Sequence, residues 1–193
     1  DQHAVLQKGS SIRDVLRTAF DEMYKLEAEM IGIYDKMGEA TPEELDKMME
    51  EVGEIQDILD HNSFYTIDAK IDEVANGLGL GAVGLDKDVT DLSGGQRTKV
   101  LLTKLLLQNP TILILDEPTN YLDVEHIQWL TNYLKNYENA FILVSHDIPF
   151  LNDVINVIYH VENATLTRYT GDYYNFQAMY EMRKKQENSA FER

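Results

Sequence analysis

Asp116 and Glu117 follow directly on an apolar run at residues 112–115 (ILIL), and His146 follows directly on a second apolar run at residues 140–145 (AFILVS). Two acids placed straight after a buried hydrophobic stretch cost desolvation free energy unless a cation or a reaction uses them. An acid at the C-terminal end of a strand can hold Mg²⁺ through its waters, and the acid beside it can polarise an attacking water. Upstream, Leu92-Ser93-Gly94-Gly95-Gln96 stands immediately before an amphipathic segment. Its two glycines let a ligand approach the backbone closely, and the Ser93 hydroxyl can donate. The amides of a helix N-terminus add positive partial charge, so the turn is suited to cradling a phosphate. A Ser-Gly-Gly turn before a helix is, taken alone, more often only a cap. Followed by a helix, a strand and an Asp-Glu pair, it points to nucleotide chemistry. The competing account, two solvated acids in a turn, is weakened by the glycine turn before them and by His146 after them.

The elements that must position these residues are readable from periodicity. Apolar residues at Ile12, Val15, Leu16, Ala19, Phe20, Met23, Leu26, Met30, Ile33, Tyr34 and Met37 keep helical spacing, which predicts one long helix ended by Gly38. Thr41-Pro42-Glu43-Glu44 combines an N-cap, a proline at the first helical position and a capping-box glutamate, opening a second helix with Leu45, Met48, Met49, Val52, Ile55, Ile58 and Leu59 inward. The two predict an antiparallel helical hairpin with an acidic outer side, its methionines serving as core filler. A third helix is expected over residues 68–78, ended by Gly77 and Gly79. Beyond Asp123, Ile127, Leu130 and Leu134 mark another helix, with Trp129 a packing residue. The run at 140–145 predicts a strand buried on both faces of a parallel sheet. A short helix from Asp147, a hairpin over 157–161 and 165–169, and a helix from Asp172 that turns charged complete the chain.

Composition narrows the class. With 193 residues, 44% of them hydrophobic and 26% charged, the chain has material for a substantial core. No apolar run reaches the length that spans a bilayer, so a membrane role is expected only through a partner. The absence of cysteine removes disulfides and thiolate metal sites and agrees with a reducing, cytoplasmic setting. A net charge of −17 argues against a basic footprint over the whole surface. Acids crowd residues 21–60, while Arg183, Lys184, Lys185 and Arg193 make the last segment basic.

In this order, LSGGQ, LILDEPTNYLD and VSHD resemble the ATP-binding-cassette ATPase family. The resemblance implies an α/β fold: a partial cassette with parallel core strands and an enlarged helical subdomain, ending in a β-hairpin and a linker helix. It implies that Ser93, Gly94, Gly95 and Gln96 contact the γ-phosphate of ATP held by an opposing cassette. Asp116 would coordinate Mg²⁺, Glu117 would be the catalytic glutamate, and Asn120 to Asp123 would form the D-loop, with Asp123 a nucleotide contact. His146 would be the switch histidine that senses the γ-phosphate. Gln2 falls where the Q-loop glutamine, a ligand of nucleotide and Mg²⁺, would stand. Arg97-Thr98-Lys99, the PTN-x-LD form of the D-loop and YTGDYYNF at 169–176 further resemble the ABC-F class, which has two cassettes in one chain and acts on the ribosome. Tyr121 departs from the histidine common at its D-loop position. The implied division is residues 1–91 for the Q-loop and helical, arm-like subdomain, 92–170 for the signature helix and the part with the two strands, and 171–193 for the start of a linker that in the family reaches toward tRNA.

No G-x-x-x-x-G-K-[ST] occurs in the chain. The expectation is therefore a piece of a larger ATPase whose phosphate-binding loop and second cassette lie elsewhere in the parent, and which alone binds ATP poorly. Two other classes remain open. The ATPase subunit of a membrane transporter would share the motifs, although the helical hairpin and the basic extension argue against it. A non-catalytic acidic docking piece would leave Glu117 and His146 without a purpose.

Overall fold

The computed structural model describes the backbone of residues 7–191 and the side chains of residues 7–187; Gln2 lies outside them. The chain forms two compact units that divide between Pro110 and Thr111.

The first unit is helical. Ser11 opens helix α1 (Ile12–Arg17) through a reciprocal capping box with Asp14, at 3.1 and 2.9 Å. The single long helix expected from periodicity is broken here. A 3-10 turn at Thr18–Phe20 separates α1 from α2 (Asp21–Met37), and Phe20, at φ −117° and ψ 20°, leaves the helical region. The Thr18 hydroxyl donates to the Val15 carbonyl, a local bond that competes with the regular ladder and favours the tighter turn. Helix α3 (Pro42–His61) starts at the capping box foreseen for Thr41 and Glu44 and packs along α2, giving the helical hairpin. Helix α4 (Ile67–Gly77) follows, and Leu78 is its C-cap.

Helix α5 (Gly94–Leu107) buries Val100, Thr103, Leu106 and Leu107 and packs against α1 and α4. The signature helix therefore belongs to the helical unit, whereas the sequence grouped it with the strands that follow. Its apolar face finds its partners in residues such as Ile12, Leu16, Ile71 and Val74, all 6% exposed or less. Arg13 and Arg17 of α1 reach Asp72 and Asp68 of α4, Arg17 with two bonds of 3.0 Å. These pairs are largely exposed and set register more than stability.

The second unit begins with strand β1 (Ile112–Asp116), which pairs in parallel with β2 (Ala140–Val144), Asp116 opposite Val144. Helix α6 (Val124–Lys135) makes the crossover and buries Leu130, Thr131 and Leu134. Helix α7 (Ile148–Val154) leads to an antiparallel hairpin of β3 (Val157–Glu162) and β4 (Thr165–Thr170). Its turn residues Asn163 and Ala164 both have positive φ, as a two-residue hairpin loop requires. Helix α8 (Tyr173–Phe191) is fastened to that hairpin: the Tyr180 hydroxyl donates to Glu162 at 2.9 Å, and Lys184 reaches the same carboxylate at 3.3 Å.

One expectation about the sheet is corrected. Leu113 and Leu115 are buried, but Ile112 and Ile114 of β1 and Ile142 and Val144 of β2 are 55–64% exposed. The continuous apolar run reads as two buried faces; the strands present one, because among the described residues nothing covers the other. No described helix is long and apolar enough to cross a membrane.

Candidate functional site

In the first unit the site is the N-terminus of α5. Ser93 is the N-cap, with extended backbone, and its oxygen accepts from the Gln96 amide at 3.2 Å while its own amide donates to the Gln96 side chain at 3.0 Å. Gln96 is thereby spent on the cap. The Gly94 and Gly95 amides, by contrast, donate to no group among the described residues, as the first amides of any helix are left to do. With the Ser93 hydroxyl hydrogen they form three donors on an exposed turn at the positive end of a 14-residue helix. A Cβ added at Gly94 would meet nothing within 4 Å. The fold does not require glycine there, which fits a surface that something else approaches closely. The Arg97 guanidinium donates to the Thr90 carbonyl at 2.9 Å and fastens the preceding 3-10 turn (Val89–Asp91) to the helix.

In the second unit the C-terminal ends of β1 and β2 bring Glu117 and His146 together. The Glu117 amide donates to the Val144 carbonyl at 2.7 Å, extending the ladder by one bond. Glu117 does so at φ +47°, in the left-handed region where a side chain other than glycine's is strained. That bend turns its carboxylate to His146, whose Nδ1 lies 2.7 Å from Oε2 and whose backbone amide donates to the same oxygen at 3.3 Å. Because Nδ1 faces Glu117, Nε2 is turned the other way, on a side chain 78% exposed. Asp116 is exposed at the strand end. Pro118 and the buried Thr119 pin the loop behind the pair.

The contact shifts both groups. The hydrogen bond from His146 holds Glu117 below the ordinary carboxylate value of 4.5, and the bond to Glu117 raises His146 above 6.5. Glu117's share of the interaction is present above 4.5 and is lost as pH falls through its lowered value. His146's share is complete below 6.5 and is lost as pH rises through its raised value. The pair is strongest between those two ordinary values. An NMR titration of His146 in the parent protein should give a midpoint above 6.5 that drops toward 6.5 in Glu117→Ala; an unmoved midpoint would mean that the pair does not form in solution.

Asp123 is placed differently from the other candidates. Its carboxylate caps α6, accepting from the His126 amide at 3.1 Å, and lies 2.6 Å from His126 Nδ1. Tyr121, within the same loop, has φ +68° and is exposed. The pairing of Asp123 with His126 was not foreseen, although a histidine at the N3 position behind an Asp N-cap was a readable signal.

Among the described residues no cluster of three or more acids, histidines or cysteines could hold a metal by itself. One exposed carboxylate at a strand end does fit Mg²⁺, which keeps several waters and takes its remaining ligands from substrate phosphates. A groove of about 1230 Å³ in the second unit is lined by Phe141, Leu143, Val157, Phe176 and Tyr180. It contains neither Glu117 nor His146, and its apolar walls mark a packing gap between β2 and β3 rather than a place for phosphates.

The chain spans a minority of the relatives it matches. It is 65% identical over all 193 residues to the uncharacterized ABC transporter ATP-binding protein YfmM of Bacillus subtilis, of which it covers 37%. It is 41% identical over 128 residues to the energy-dependent translational throttle protein EttA of Mycobacterium tuberculosis, a match covering 66% of this chain and 23% of that one. The ATP-binding protein Uup of Escherichia coli is 37% identical over 130 residues, 66% of this chain and 20% of Uup. The fold is similar to that of a solved ATP-binding subunit of an ABC transporter, with a TM-score of 0.56 at 16% identity over 86% of this chain and 55% of the other. Residues 2–120 match the sequence pattern described as ABC transporter. That match spans more than half of the chain, and the chain belongs to the ABC transporter family of ATP-binding domains.

Proposed function

We propose that the chain is part of the first cassette of a cytoplasmic ABC-F type ATPase, in which ATP-driven closure of two cassettes is coupled to action on the ribosome. The observation that carries the catalytic half of this reading is the Glu117–His146 contact at 2.7 Å on adjoining strand ends. Glu117 accepts a proton from water as the water oxygen bonds to the γ-phosphorus and the β–γ bridging bond breaks, giving ADP and inorganic phosphate. His146 holds the carboxylate through Nδ1 and offers Nε2 to the γ-phosphate. Asp116 would hold Mg²⁺, which when bound would supply charge neutralisation on the phosphates. Ser93, Gly94 and Gly95 receive the γ-phosphate of ATP held by the second cassette of the parent, Gln96 supports them through the cap, and Asp123 fixes the D-loop at its junction with α6. Gln2 is proposed as a nucleotide and Mg²⁺ contact.

The translational half is supported by similarity to a protein named as a translational throttle and by the helical hairpin and the basic residues of α8, the start of a linker directed at ribosome and tRNA. The family's description as ABC transporter favours a second reading, the ATPase subunit of a membrane transporter. Sucrose-gradient sedimentation of the full-length parent carrying Glu117→Gln separates the two. With ATP the protein should move into the ribosomal fractions, and without nucleotide it should leave them. Recovery with membranes, and none with ribosomes, would replace the first reading by the second.

A further inference from the structure

We infer that Asp88 is a positioning residue that couples the segment at residues 9–11 to the signature turn, so that the nucleotide-facing donors of α5 are set by the chain that follows Gln2. The inference rests on the reading of Ser93–Gly95 as a phosphate contact and adds to it the residue that aims them.

Its two carboxylate oxygens do different jobs. Oδ1 accepts from both the amide and the hydroxyl of Thr90, at 2.8 and 2.6 Å, and so builds the 3-10 turn that runs into Leu92. Oδ2 accepts from the Gly9 amide at 2.8 Å, across 79 residues of sequence. Gly9 takes φ +91° to present that amide, a conformation glycine adopts without strain. Around this bond the two segments form a short ladder: Val89 donates to the Ser10 carbonyl and Ile12 to the Lys87 carbonyl, each at 3.0 Å, with Ser11 opposite Asp88. From Thr90 the connection continues to α5, because Arg97 donates to the Thr90 carbonyl. A continuous run of hydrogen bonds therefore joins Gly9, Asp88, Thr90 and Arg97, and its last member lies on the first turn of the helix whose first amides are the proposed phosphate donors. Gly9 stands seven residues after Gln2, the other candidate nucleotide contact of the first unit. Contiguous networks of this kind carry coupling between sites when both ends bias one arrangement.

The two oxygens can be separated by substitution. In Asp88→Asn the amide oxygen can still accept from Thr90, but the NH₂ group meets the Gly9 amide donor to donor, so the turn keeps its cap and loses the side-chain bond to Gly9 while the backbone ladder remains. Thr90→Val removes only the hydroxyl bond of the turn: the Thr90 amide still donates to Asp88, its carbonyl still accepts from Arg97, and Gly9 stays linked, so the run remains continuous. In the full-length parent, Asp88→Asn should lower kcat for ATP hydrolysis about fivefold, within the range by which residues along a coupling network act, with KM for ATP and thermal midpoint little changed. Thr90→Val should retain kcat. Full turnover in Asp88→Asn, or an equal loss of kcat in both variants, would overturn the inference. Gly94→Asp, measured beside them, tests the reading underneath: normal hydrolysis there would remove the signature turn from the reaction, whereas loss there together with a fully active Asp88→Asn would defeat only the coupling.

Discussion

Glu117→Gln in the full-length parent protein should reduce ATP turnover by about 10²- to 10⁴-fold, the usual contribution of a positioned general base, and leave ATP binding intact. Glutamine has nearly the shape of glutamate, so the left-handed bend at residue 117 and the backbone bond to Val144 are not disturbed. Its amide oxygen can still accept from His146, so the histidine stays in place. What is lost is a group able to take a proton from water. A cassette that binds ATP but cannot discharge it accumulates in the closed, nucleotide-bound form. Phosphate release under saturating ATP measures the loss, and equilibrium binding of ATP measures what is retained. Turnover at the normal rate would show that Glu117 is not the base. Weakened binding in parallel with turnover would instead indicate that the strand end had been deformed.

Gly94→Asp is expected to move stability and activity in opposite directions. The new Cβ meets nothing within 4 Å, and replacing glycine near a helix start removes a conformational-entropy penalty that reaches about 1 kcal/mol in a helix interior. An acid in the first turn also interacts favourably with the helix dipole, by about 0.3–1 kcal/mol. The folded chain should therefore be no less stable, with a thermal midpoint equal to or above the parent's. Hydrolysis should fall. Like charges ~5 Å apart at an effective dielectric of ~20 repel by about 3 kcal/mol, which corresponds to roughly a hundredfold. Calorimetry beside an ATPase assay reads both signs in one preparation. A variant that is stable and still active would mean that no phosphate approaches the α5 turn.

The parts legible in the sequence were those whose constraints are local. Thr41, Pro42 and Glu44 lie within four residues and make the helix start they predict. Ser93 opens the helix expected directly after it, and its reciprocal cap with Gln96 is added by the structure. Glu117 and His146 could be expected to lie close for another reason: each stands just past the end of an apolar run, and parallel strands in register deliver their ends to one place. What stayed hidden depends on contacts between distant residues or on competition within one turn. Nothing in the periodicity of residues 10–37 marks the break at Phe20, because the apolar spacing continues through it while a threonine hydroxyl alters the backbone. Asp88 and Gly9 are 79 residues apart, and neither has an unusual neighbourhood in sequence. That the Asp123 carboxylate also caps the start of α6 could not be read from its place in the D-loop.

The exposed isoleucines and valine of the β1–β2 pair bear on how these 193 residues behave at high concentration. Two parallel strands that, among the described residues, have one bare apolar face and unpaired outer edges are a template for further strands. The short uncharged windows ILIL and AFILV have the β-propensity and low charge of association-prone segments. Opposing this is a net charge of −17, drawn largely from the acidic helical hairpin, which keeps copies apart by long-range repulsion at neutral pH and low salt. The hairpin thus acts as a colloidal counterweight to the sheet. Acid near the isoelectric point of about 4.5, or salt enough to screen the charge, removes that counterweight and leaves the sheet edge free to recruit its own kind.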